Sequence, residues 1–182
     1  MDVVPFPPRP SPEAPLVASA TSSAFLLPPG APLPPGTDTW LHLPDGARFA
    51  YVPTPGPAPE PGTDVMLTVD PFVRGNRFTP LHESPRALAA LLGIAAARRV
   101  DSGPESERLF LFMRGQGLVF DQNGDSARFG PMTACLAPAG EPARLWAQGP
   151  EDVLLLVFQP RGAKVERRTL RSEIEKRRSH QA

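Results

Sequence analysis

One cysteine, Cys135, is all this chain has, so an internal disulfide is excluded. It stands in T-A-C-L-A with no histidine nearby, the setting of a buried, inert thiol rather than a nucleophile. Lysine is nearly absent: 17 of the 19 basic residues are arginine, and only Lys164 and Lys176 are lysine. With the abundant Ala, Pro and Gly, that bias points to a GC-rich bacterial genome rather than to a function. An excess of one charge is also missing. Nineteen basic residues balance nineteen acidic ones, which removes any whole-chain attraction to nucleic acid or to an anionic membrane. No apolar run approaches the ~20 residues of a membrane span, and the chain does not open on a basic segment followed by an apolar one. A soluble, cytoplasmic protein is expected. There is no Ser-His-Asp spacing, phosphate loop, CxxC or HExxH pattern, so those chemistries have no basis in the sequence.

What is present is proline and short strands. The 182 residues suffice for one domain with a real core. Residues 1–36 hold eleven of the 26 prolines, and proline removes backbone donors and fixes φ. This stretch reads as an extended arm, either a tether, a ligand for a partner's groove, or an arm lying on its own barrel. Its middle, A-S-A-T-S-S-A-F-L-L, offers one edge strand. The run T-W-L-H-L, the turn Pro44-Asp45-Gly46 and A-R-F-A-Y-V predict a hairpin. D-V-M-L-T-V follows as another strand. Residues 84–93 carry helix punctuation: Ser84 as N-cap, Pro85 at the first position and Gly93 as the stop, with Leu88, Leu91 and Leu92 on one face. From Leu109 onward five short strands are punctuated by Gly, Pro, Asn and Asp, the spacing of a sandwich or barrel. The expected organisation is an arm over 1–36, a barrel over 37–162 and a basic helix or tail over 163–182.

The residues Gly115 to Phe158 resemble the cupin family, small double-sheet jelly-roll barrels. L-F-L-F-M-R-G-Q-G-L-V-F is similar to the end of the first cupin motif, and C-L-A-P-A-G-E-P-A-R-L-W is similar to the second. P-E-D-V-L-L-L-V-F is similar to the closing strand. The resemblance implies an all-β, mainly β fold: a cupin-type double-sheet jelly-roll barrel with one inserted short helix and a C-terminal helix. It also implies a metal held by three histidines and a glutamate. Here the second-motif histidine falls on Ala143 and the first-motif glutamate on Arg108. The two first-motif histidines fall within Asp101 to Pro104, which contains none. The expectation is therefore a protein with no metal, no cofactor and no catalytic residue of the usual kind. His42 and His82, with Asp101, Glu105 and Glu107, are what remains for a non-standard site.

An anion site is the alternative use of the same positions. Arg108 and Arg144 occupy or adjoin former ligand positions, and an arginine fork suits carboxylate or phosphate. The competing placement puts both outside, paired with Glu105, Glu107 or Glu141. Phe110, Phe112 and Trp146, with Phe120 and Phe158, read either as pocket lining or as ordinary core. The candidate ligand-binding residues are thus Arg108, Arg144, Phe110, Phe112 and Trp146. The expected function is binding of a small molecule or a protein partner in a regulatory or assembly role, with a homodimer anticipated and no membrane partner. Alternatives are a cavity enzyme, such as an isomerase or cyclase, and a DNA-binding regulator. The regulator would use residues 84–100 as a helix-turn-helix, but that unit offers Ala-Ala-Ala where base-reading side chains belong, so nucleic acid is not the expected partner. A cyclic-nucleotide cassette over Phe129 to Met132 has Pro131 where its ribose-gripping glutamate would stand.

Overall fold

The computed structural model describes residues 1–19, 21–43, 45–53, 64–66 and 76–160, and all the regular structure in them is strand. In chain order these are β1 (Val3–Pro5), β2 (Val17–Ala18), β3 (Ser22–Leu27), β4 (Thr39–His42), β5 (Arg48–Pro53) and β6 (Asp64–Met66). Then come β7 (Arg77–Glu83), β8 (Ala87–Ile94), β9 (Arg99–Ser102), β10 (Arg108–Arg114) and β11 (Gln116–Phe120). Last are β12 (Ser126–Phe129), β13 (Thr133–Ala137), β14 (Ala143–Gln148) and β15 (Val153–Pro160). The basic C-terminal helix expected over 163–182 lies outside the described residues.

Three sheets result, with orders β1-β13-β10-β15-β8-β7, β12-β11-β14-β9 and β2-β3-β5-β4-β6. From β8 onward the chain weaves between the first two, placing β8, β10, β13 and β15 in one and β9, β11, β12 and β14 in the other. Eight antiparallel strands in that order form a double-sheet jelly roll. The crossing from β10 to β11 turns at Gly115, whose φ is +79°. A Cβ there would stand 2.8 Å from the Asp152 carbonyl oxygen, so both conformation and space demand glycine.

The six-stranded sheet is buried on both faces. Along β10, Phe110 and Phe112 pack with Val119, Phe129 and Leu145 in the jelly-roll interior. Leu109 and Leu111 pack on the other side with Leu26, Leu41 and Phe49 of the five-stranded sheet. Strands covered on two faces read as continuous apolar runs instead of alternating ones, and β10 and β15 do so as L-F-L-F-M and V-L-L-L-V-F.

The same burial corrects the inserted helix. Residues 84–93 do not form one; Ala87–Ile94 is β8, paired along its length with β15 and flanked on its other side by β7. A short Ala/Leu run has helix propensity, but pairing on both edges overrides a preference worth a few tenths of a kcal/mol per residue (~0.2–0.7). Ser84 does cap something: its Oγ accepts from the backbone N–H groups of Arg86 and Ala87 at 3.1 and 3.0 Å. It closes a turn between β7 and β8 rather than a first helical turn. Residues 84–100 therefore hold two strands and a turn, which removes the helix-turn-helix.

The proline-rich stretch is extended and lies on its own barrel. β1 adds an outer strand beside β13, where Pro5 is tolerated because the edge needs no donor from it. The strand expected in A-S-A-T-S-S-A-F-L-L is β3, but it is interior, between β2 and β5. The Asp45-Gly46 hairpin turn forms as expected, with Gly46 at φ +86° and the Asp45 carboxylate accepting from the Ala47 N–H at 3.0 Å.

Candidate functional site: the mouth of the jelly roll

At one end of the jelly roll the β9–β10 loop meets the β13–β14 turn, and Arg108 joins them. Strand alternation turns Arg108 to the same side as Phe110 and Phe112, and its residue exposure is 3%. Nη1 donates to the Ser106 carbonyl, and Nη2 donates to the Glu141 carbonyl at 2.7 Å. The Gly140 N–H donates to the Pro104 carbonyl at 2.8 Å and closes the same junction. Arg108 Nε and Ser106 Oγ are buried without a hydrogen-bond partner. Burial pulls the Arg108 pKa below its ordinary value, and the charge of Glu105 acts in the opposite direction; a guanidinium stays cationic under both.

These groups line a cavity of about 320 Å³. Its polar wall is Ser102, Glu105, Ser106 and Arg108, with Asp101 at the rim, and its apolar wall is Phe78, Leu92, Val100, Phe110 and Val157. Phe78, on the sheet-edge strand β7, is 51% exposed at this opening. The size lies at the low end of small-molecule sites.

The other candidate residues are elsewhere. Arg144 points to the outer face of the four-stranded sheet, where its Nε donates to Asp101 Oδ1 at 2.7 Å across the β14–β9 pair. It is exterior because β14 buries Ala143, Leu145 and Ala147 and turns the alternate positions outward. Its partner is Asp101, not Glu105, Glu107 or Glu141. Trp146 shares that outer face, with the Arg99 guanidinium 4.6 Å from its ring centroid and Phe120 at 6.5 Å. Phe112 is fully buried and stacks on Phe129 at 3.9 Å, so it is core beneath the cavity. Phe158 faces the second core and stacks on Tyr51 at 5.0 Å. Of the five candidates, Arg108 and Phe110 meet in the cavity.

A second polar cluster, invisible in the sequence, lies between the six- and five-stranded sheets. Glu107, one residue before Arg108, faces that side and accepts from Ser22 Oγ. The buried Tyr51 hydroxyl sits in the same neighbourhood without a hydrogen-bond partner. Burial first, then the charges of Glu107 and Asp38, raise the Tyr51 pKa, against a lowering contribution from Ser22. Asp38 accepts from Thr39 Oγ1 and from Ser84 Oγ, each at 2.8 Å, with His82 Nε2 at 3.8 Å. These carboxylates fasten the added sheet to the jelly roll. The partners are 46 and 85 residues apart in the chain, so no local signal reveals them.

No protein-family model matches this sequence, and no curated protein does. Solved structures resemble it. An RmlC-like cupin with a double-stranded β-helix fold from Methanocaldococcus jannaschii has a TM-score of 0.48 at 6% identity, over 53% of this chain and 90% of that one. KdgF from a Halomonas species has a TM-score of 0.43 at 19% identity, over 53% of this chain and 87% of that one. A double-stranded β-helix protein from Klebsiella pneumoniae has a TM-score of 0.46 at 14% identity, over 52% and 84%. The order of strands β8 to β15 decides the matter.

The chain has a cupin-type fold.

The metal that cupins hold does not fit these residues. Ala143, where the resemblance would put a histidine, does face inward, directly opposite Ser102, but brings a methyl group. Arg108 brings a cation to the cavity wall. Among the described residues no group of three or more His, Cys, Asp or Glu is placed to hold a metal ion. His42 lies on β4, in register with Arg48 of the five-stranded sheet, and His82 lies beside Asp38; neither lines the cavity. Neither assigned position offers a metal donor, since Arg108 is a cation and Ala143 a methyl, and the nearby carboxylates Glu105 and Asp101 are not grouped with a third ligand.

Proposed function

We propose that this cupin-fold protein acts by binding a small organic anion in the mouth of the jelly roll. The observation that carries the reading is a buried arginine with a spare Nε on the wall of a largely apolar cavity. Buried donors are rarely left unused, and a ligand acceptor would use this one. An isomerase or cyclase would need an acid–base pair inside the same space. The histidines are elsewhere and Glu107 faces the second core, which leaves Glu105 on the wall with Asp101 held by Arg144 at the rim. Protein docking has less behind it. The exposed large hydrophobics among the described residues are Val4 and Met132, which are neighbours across the β1–β13 pair, and Phe78, on the opposite edge strand of the same sheet, so at most two of them adjoin.

Thermal unfolding with small organic anions and their neutral amides tests this. A bound anion at a hundred times its Kd stabilises the fold by about 2.7 kcal/mol, raising Tm by roughly 5–10 °C. If anions move Tm no more than amides do, the proposal is wrong.

A further inference from the structure

The outer face of the four-stranded sheet carries a second cavity, of about 400 Å³, outside the jelly roll. It shares Asp101, Ser102 and Gly103 with the mouth and is otherwise built from different residues. We propose that this outer cavity binds a neutral sugar ring, independently of any anion in the mouth.

One cross-strand row builds its centre. Phe120 on β11, Arg144 on β14 and Asp101 on β9 are direct partners. Strand alternation turns all three outward, while Val100, Val119 and Leu145 turn into the core. The half-buried Phe120 ring, with Trp146 beside it at 6.5 Å, gives the cavity an apolar wall. The C–H face of a pyranose covers such a ring and keeps its hydroxyls at the perimeter.

The polar groups stand around that ring on three sides. Asp101 and Ser102 come from β9, Arg144 from β14, and Asp121 and Gln122 from the turn after β11. Arg144 Nε donates to Asp101 Oδ1 at 2.7 Å. The two side chains are 55% and 72% exposed, so the Nη donors and the second carboxylate oxygen are open to a ligand. A guanidinium only donates and a carboxylate only accepts, whereas a hydroxyl does both. Two adjacent hydroxyls can therefore bridge the pair, and hydrogen bonds to charged partners are the stronger kind. A pyranose carries hydroxyls around its whole rim and can meet all three sides. An alkyl chain can meet none of them.

Charge sets this cavity apart from the mouth. Its charged lining residues are Asp101, Asp121 and Arg144. Arg144 is paired with Asp101, and Asp121 has the Met1 ammonium at 3.8 Å. No cation is left over for a carboxylate or a phosphate, so the occupant that fits is neutral.

Amide NMR titration of the intact protein tests this with the methyl glycosides of glucose, galactose and mannose, beside cyclohexanol and adenosine. At least one glycoside is expected to shift the Phe120 and Gln122 amides saturably, with a roughly millimolar Kd. The Arg108 Nε–H resonance should stay in place. Phe120→Ala is expected to weaken that glycoside at least about tenfold, and Arg144→Ala about fivefold. If Phe120→Ala does not fold, Arg144→Ala carries the test, since its side chain is more than half exposed. The proposal is overturned if no glycoside moves these amides at about 50 mM, or if both variants bind unchanged. Cyclohexanol binding as well as the glycosides would make the cavity a merely apolar one. Adenosine binding more tightly than every glycoside would make it a site for a base. A glycoside that moves Arg108 instead of Phe120 and Gln122 would place the sugar in the mouth. Each of these three results also overturns the proposal.

Discussion

Glu107 and Arg108 are neighbours in the chain, both buried, and strand alternation sends them to opposite faces of one sheet. On the Glu107 side the carboxylate meets a hydroxyl from another sheet, and that contact fastens the two sheets together. On the Arg108 side the guanidinium ties down two loops, keeps one donor unused, and borders open space. The same burial thus serves two ends. A buried charge whose partners sit on an adjoining layer holds that layer. A buried charge with a spare donor beside a cavity is held ready for something from outside. Arg108 and Ala143, the two positions where the resemblance to cupins would put metal ligands, fall on the second side.

The comparison is breakable at four places. The largest effect is expected in the core beneath the cavity. Phe112→Ala removes a ring stacked on Phe129 and is expected to cost about 3–5 kcal/mol in denaturant unfolding. A cost below about 1 kcal/mol would mean that the interior is not packed as described. Next is Ser22→Ala, which leaves Glu107 without its donor. About 1–3 kcal/mol of stability should be lost, with affinity for small organic anions unchanged. A change in affinity would show that the two sides are not independent.

Alkaline pH probes the Glu107 side again. Tyr51 and Cys135 are both buried and neutral, and burial is the first cause of each shift; the Cys135 thiol is pushed up to about 12 and Tyr51 is raised as well. The folded state therefore keeps protons that the unfolded chain releases from about pH 9–10 upward. Stability present below that range falls as pH rises, by up to ~1.4 kcal/mol per pH unit for each group. Tyr51→Phe should remove the tyrosine share of that slope, and an unaltered slope would contradict its burial beside Glu107. The smallest effect is expected at Arg144→Ala. Its pair with Asp101 is more than half exposed at both ends, so about 0–1 kcal/mol is at stake, and affinity for small organic anions should shift little. A tenfold loss of affinity would return Arg144 to the site.

The half of the fold from Leu109 onward was legible because its strands are bounded by glycine and proline and its runs are continuous. Strands β7 to β9 were not, for a reason visible in β8. A run of Ala and Leu buried on both faces looks the same to periodicity whether it becomes a helix or a central strand. Only its partners β15 and β7 decide, and β15 lies more than fifty residues away. The candidate site was half legible. Arg108 came from alignment to a vacated ligand position, and alternation along β10 turns it to the cavity side. Arg144 lies on the outer face of β14, where it lines a separate cavity of about 400 Å³ with Phe120 and Asp101, because a one-residue difference in facing moves a side chain from one surface of a sheet to the other. Ser106 carried no signal, since an orphaned hydroxyl is a property of the folded loop. The second cluster also needed the third sheet, whose strands β2 and β3 come from a proline-rich stretch that reads as an arm.

The most direct measurement is an NMR titration that follows the Arg108 Nε–H resonance together with the backbone amides of Ser22 and Tyr51 as benzoate, a small organic anion, is added. The account predicts a saturable shift of Arg108 Nε–H, accompanied by Ser106, with Ser22 and Tyr51 unmoved. A stationary Arg108 resonance, or a response centred on Ser22 and Tyr51, would contradict it.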